Sequence, residues 1–143
     1  ETGLAVNVPI GKRAMILHIN NIDVIELIKP SDYVDVLTTF SAKHRTKGTV
    51  KVTVTVLQNV LVVGVSKDLG EVEGESYSYR KKKREEKETK TLAMLTVSVA
   101  VTPEEAQILA LAQMQGDITL TVRATNDREE KPLSPVDSSL FFS

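Results

Sequence analysis

Thr49-Val50-Lys51-Val52-Thr53-Val54-Thr55-Val56 alternates polar residues and valines without a break. Successive side chains of a strand point to opposite faces, so this segment sets its valines on one face and the threonines and Lys51 on the other. The alternation loses its parity at Gln58-Asn59 and resumes as Val60 to Val65, apolar on both faces, which predicts a bulge leading into a more deeply buried strand. Outward from this stretch the same period recurs. Leu95 to Val101 is apolar at odd positions, and Ile118, Leu120, Val122 and Ala124 alternate with Thr119, Thr121 and Arg123. Val34, Val36 and Phe40 repeat it more weakly, and residues 14 to 19 read as one more strand. About five or six strands follow, an ordinary sheet.

One helix interrupts them. Thr102-Pro103-Glu104-Glu105 offers an N-cap, a proline where a missing N–H costs nothing, and a glutamate at the capping-box position. Gly116 reads as a left-handed stop at the other end. Between them Ala106, Ile108, Leu109, Ala110, Leu111, Ala112 and Met114 ring nearly the whole circumference. Such a helix is covered on more than one side. The reading preferred here is burial within the domain; the other is a face, with Ile108 and Met114 on its outward side, that meets another chain.

The composition agrees with a β-rich fold. Of 143 residues 41% are hydrophobic, yet only 4% are aromatic and Trp is absent, so valine carries the core. Branched side chains pack well on a pleated surface and lose freedom in a helix. The fold class expected is therefore mostly β with one substantial helix, an α+β domain. A net charge of −1 gives no general pull toward nucleic acid or lipid. With no cysteine, disulfides, thiolate metal sites and cysteine nucleophiles are excluded. No apolar run approaches the roughly 20 residues of a spanning helix.

From 67 to 90 the periodicity stops. Glu71, Glu73 and Glu75 precede Tyr77 and Tyr79, then Arg80-Lys81-Lys82-Lys83-Arg84, then Glu85-Glu86-Lys87-Glu88. The segment is too polar to own a core and reads as a long protruding charged loop that folding does not need. Its basic run could hold an anionic surface or an acidic partner. The preferred reading is a solvated loop neutralised by its own acidic flanks. Residues 1–126, this loop included, are taken as one β-rich domain, and 127–143 as a C-terminal tail whose Leu140-Phe141-Phe142 either packs back or frays.

Catalytic patterns are missing. His18, in an apolar strand, reads as a satisfied structural histidine; His44, among Lys43, Arg45 and Lys47, as solvated. Asp32 and Asp35 sit where a turn enters a strand, and turn capping is the ordinary task of carboxylates there. There is no phosphate loop, nucleophile elbow or HExxH pattern. No enzyme, metal or cofactor is expected.

Three blocks in order resemble the CpaB/RcpC family of Flp (Tad) pilus assembly proteins. Pro30-Ser31-Asp32-Tyr33-Val34-Asp35-Val36-Leu37 is similar to the family's PGDxVDVL, with Arg13-Ala14 upstream at its usual RA position. Leu57-Gln58-Asn59-Val60 with Val63-Gly64 resembles a family strand. Thr102-Pro103-Glu104-Glu105-Ala106, through Leu109-Ala110-Leu111-Ala112 and Gly116 to Leu120 and Arg123, resembles the third block. Ser31 stands where the family motif has glycine, and a type I turn would tolerate it. Arg13, Pro30, Asp32, Val34, Asp35, Thr102, Pro103, Ala106, Gly116 and Arg123 are thereby motif residues of structural character.

The resemblance implies a SAF-type, β-clip-like sheet domain outside the cytoplasm, in the periplasm of the cell envelope, behind a membrane anchor upstream of residue 1. It implies work in assembling the type IVb pilus, with pilus assembly proteins as partners and the outer-membrane secretin among them where the source has one. Homo-oligomers fit the same picture; nucleic acid does not. Two other readings stand beside it: a glycan-binding module for peptidoglycan, and an accessory domain of a sugar-acid enzyme.

Overall fold

A computed structural model describes residues 8–19, 27–68 and 94–142. Its strands are β1 (Arg13–Ile19), β2 (Tyr33–His44), β3 (Gly48–Asp68), β4 (Met94–Val101), β5 (Asp117–Val122) and the short β6 (Val136–Asp137). The helix α1 (Pro103–Gln115) lies between β4 and β5, and a 3-10 turn, Ser138–Phe141, follows β6. The expected α+β class is what is found, and α1 has the capping box its sequence announces. The Thr102 hydroxyl accepts from the Glu105 N–H at 3.1 Å, and the Glu105 carboxylate accepts from the Thr102 N–H at 2.9 Å. The charged run Arg80 to Arg84, with most of the segment 67–90, lies outside the described residues.

All pairings are antiparallel, in the order β1-β4-β3-β2-β5, with β6 against β3. The 21-residue β3 is the spine: its first half pairs with β2, its second with β4. Where β2 advances two residues at a time through Thr38, Val36 and Val34, β3 advances three, through Val54, Leu57 and Val60. The two extra residues are absorbed as bulges, and Asn59 takes a left-handed φ of 61° there. The slip keeps Leu57, Val60 and Val62 on the core side after the alternation changes parity.

That core is one cluster. Leu17 and Ile19 of β1, Val34 and Val36 of β2, Leu57, Val60 and Val62 of β3, alternate residues 95 to 101 of β4, and Ile118 and Leu120 of β5 bury against Leu109 and Ala112 of α1. The outer strands β1 and β5 approach each other, so the sheet curls, and α1 touches all five long strands. Burying one such branched side chain contributes about 1.5–3 kcal/mol, so this cluster is the main source of stability.

Two turn conformations differ from the sequence expectation. Ser31 has φ 87°, which a type I turn does not contain. With Pro30 before it and the Asp32 N–H donating to the Lys29 carbonyl at 3.0 Å, the turn fits type II, whose third residue favours glycine. Gly116 is not a left-handed stop: its φ of −170° is extended backbone. Its glycine is needed for close approach, because a Cβ there would stand 1.9 Å from the Thr39 carbonyl oxygen.

Candidate interaction surface

The described residues hold the helix from one side. Leu109 and Ala112 are buried, and the buried Thr38 hydroxyl donates to the Ala112 carbonyl at 3.1 Å. Gln113 ties α1 to the edge strand β1: its side-chain oxygen accepts from the His18 N–H at 3.2 Å and its amide donates to the Ile16 carbonyl at 3.4 Å. Among the described residues no strand lies beneath the opposite flank. Ile108 is 44% exposed, Leu111 64% and Met114 83%. This corrects the preference for burial within the domain. A helix laid on a curled sheet meets strands along one flank, and an all-round apolar helix then leaves the other in solvent.

Beside Met114 a cavity of about 320 Å³ is lined by His18, Gln113, Gly116, Asp117 and Ile118. His18 is therefore no core histidine. Its neighbours Leu17 and Ile19 point inward, and period two turns His18 out. His44 is more than solvated. Its Nδ1 accepts from the N–H groups of Thr46 and Lys47, both at 3.1 Å, and so closes the hairpin between β2 and β3.

A polar knot lies where β2, the β3 bulge and β5 meet. Asp35 stands in a strand rather than a turn, and its Oδ1 accepts from Arg123 Nε at 2.7 Å and from the Asn59 N–H at 3.0 Å. Arg123 also donates to the Asp127 carboxylate and carbonyl, to the Glu129 carbonyl at 2.8 Å and, more distantly, to Gln58. The Asp35 hydrogen bond pushes the Arg123 guanidinium further above its ordinary value, so it keeps its charge at any working pH. Asp32 acts separately, accepting the Lys29 N–H at 2.9 Å. Arg128 stacks over the Tyr33 ring, 3.6 Å from its centre.

The motif residues thus divide. Asp35 and Arg123, 88 positions apart, form one ion pair. Pro30 and Asp32 shape the turn into β2, Val34 and Ala106 face the core, and Thr102, Pro103 and Gly116 frame α1. Arg13 opens β1, exposed. Leu111 is the surface residue that sequence reasoning missed, although its spacing of three from Ile108 and Met114 marks the same helix face. Among the described residues no three His, Asp or Glu side chains gather as a metal site, and no helix is long and apolar enough to cross a membrane.

A curled antiparallel sheet, one capped helix with a bare apolar flank, and motif residues spent on turns and an ion pair define an α+β domain. The chain belongs to the family of the Flp pilus assembly protein RcpC/CpaB, whose model matches residues 2–123. No curated protein and no solved structure matches it.

Proposed function

We propose that this chain is a non-enzymatic assembly module of the Flp/Tad type IVb pilus, acting through protein–protein contacts on the periplasmic side of the envelope. The secretin is the contact best suited to a protein so placed. The observation that carries the reading is the outward flank of α1, where Ile108, Leu111 and Met114 stand in solvent on a helix fixed from below. Apolar side chains in one row gain from burial, and a rigid support lowers the cost of ordering them. The motif residues act as framework, which brings that flank to a set position.

The test is surface piliation in a deletion strain complemented with Ile108→Glu, Leu111→Glu or Met114→Glu, with folding followed by thermal melt. Folded variants that no longer support pili are the expected result. Normal piliation by all of them, beside loss of pili in a folded His18 or Asp32 variant, would overturn the interface reading and reopen an enzymatic one. A glycan-binding module is the alternative, supported by the cavity beside Met114. Its His18, Gln113 and Asp117 are the kind of groups that sugar hydroxyls take. Retention of the folded chain on peptidoglycan sacculi would favour it.

A further inference from the structure

The C-terminal segment runs antiparallel along β3 in a single register. Val136 lies opposite Thr53 and Asp137 opposite Val52. One step further, the Lys51 N–H donates to the Ser138 hydroxyl at 3.0 Å. At the other end, in the same register, Gln58 grips the main chain of Lys131: its amide donates to the Lys131 carbonyl at 2.6 Å and its oxygen accepts from the Lys131 N–H at 3.0 Å. Between these ends Pro132 falls opposite Leu57 and Pro135 opposite Val54, and there the ladder is missing. Proline has no N–H to give, so a strand carrying two of them cannot complete the pairing, nor offer a full outer edge to a further strand.

The side chains add little hold. Leu133, Val136, Leu140, Phe141 and Phe142 are all more than half exposed, so this segment stays in place by a few hydrogen bonds rather than by burial. The edge it covers is different in kind. Residues 50 to 57 of β3 are Val- and Thr-rich, free of proline and carry one charge, Lys51. Such an edge, uncovered, is a template for pairing with another chain. The family match ends at residue 123, before the covering segment begins.

We infer that residues 131–142 form a displaceable edge guard on β3, and that its release lets the first half of β3 pair edge to edge with a second copy of this chain. Two such strands meeting antiparallel about an axis at Thr53 set Lys51 against Thr55, so no like charges oppose. Val52 then faces Val54, and Thr53 faces its own counterpart.

The experiment compares the full chain with a chain ending at Lys131, by light scattering over a range of concentrations and by amide exchange. The full chain stays at monomer mass with the Lys51 amide protected. The shortened chain doubles in mass as concentration rises. Adding Thr53→Pro to it returns it to a monomer, because Thr53 shares the outward main-chain side with Lys51 and proline blocks that edge. A shortened chain that melts cooperatively and remains monomeric overturns the inference, as does a dimer that Thr53→Pro leaves intact. Should the shortened chain not fold, the full chain with Asp137→Gly and Ser138→Gly replaces it. That variant is expected to exchange the Lys51 amide faster and to dimerise; a folded variant that does the first and stays monomeric overturns the inference equally.

Discussion

Replacing Gly116 by alanine tests whether that glycine is required by contact or by backbone conformation. Its φ is one any residue adopts, so conformational strain predicts almost no effect. Contact predicts a large one. The new Cβ would lie 1.9 Å from the Thr39 oxygen, 2.7 Å from the Thr39 carbonyl carbon and 3.0 Å from the Phe40 Cβ. Reaching ordinary separation needs a shift of roughly 1.5 Å, and the obstacle is main chain, which cannot rotate away. Thr39 is paired on both sides, with Thr53 and Asp117, and its hydroxyl meets that of Thr53 at 2.7 Å. Yielding would disturb two ladders at once, so the cost belongs at the upper end of overpacking, about 3 kcal/mol. In a chain of this size that lowers Tm by roughly 6–12 °C.

Gly48 is the control: its φ is 78° and nothing stands within 4 Å of a Cβ there. Gly48→Ala should cost about 1 kcal/mol through conformation alone, and Gly48→Asn less, because asparagine tolerates left-handed backbone. At 116 the order should reverse, with asparagine worse than alanine. Thermal and urea melts followed by circular dichroism read all four. A Gly116→Ala protein melting within about 2 °C of its parent would refute the contact argument.

Other expectations follow from the same structure. Ser31→Gly should raise stability by about 0.5–1 kcal/mol, since a type II turn asks for glycine at its third position; a urea midpoint that falls would show the turn is otherwise held. Leu109→Ala should cost about 2–5 kcal/mol in urea melts, while Leu111→Ala, two residues along and in solvent, should change stability by less than about 0.5 kcal/mol. Asp35→Ala should lower the urea midpoint, and a double-mutant cycle with Arg123→Ala should show coupling between the two; additive effects would mean the ion pair contributes nothing of its own. Asp137 accepts from the Ser139 hydroxyl and N–H, which hold its carboxyl below the usual range. Its contribution to docking the C-terminal segment is therefore complete above the ordinary carboxylate pKa and is lost as pH falls through the lowered one. Amide exchange at Lys51 should accelerate only in acid, and Asp137→Asn should remove that dependence.

What was legible in the sequence was whatever is encoded by near neighbours. The parity break at Gln58-Asn59 needs only the alternation on either side, and the Thr102 to Glu105 box is closed within one turn. What was not legible needed a distant partner. Nothing around Gly116 announces Thr39, 77 positions earlier, so a glycine after a helix carries its commoner meaning of a left-handed stop. Asp35 stands in a strand and Arg123 just past the end of another, and only the adjacency of β2 and β5 joins them. The apolar neighbours of His18 suggest a satisfied structural histidine, although period two puts it on the face opposite to theirs. The ring of apolar residues on α1 is plain in its composition, but which flank is covered depends on how far the sheet curls.

The pairing of β1 with β4 also sets an order of events during synthesis. Ile19 aligns with Leu95 and Arg13 with Val101, so β1 cannot be paired until at least 76 further residues exist. The hairpin of β2 and β3 closes over three residues, 45 to 47, and can form as soon as it emerges. Loop closure over the longer span costs more entropy, and pairings of such separation slow folding. At roughly 5–20 residues per second, β1 waits about 4–15 seconds for its neighbour. During that interval Leu17 and Ile19 have no strand to lie beside, and the β2–β3 hairpin is the seed on which the later strands assemble.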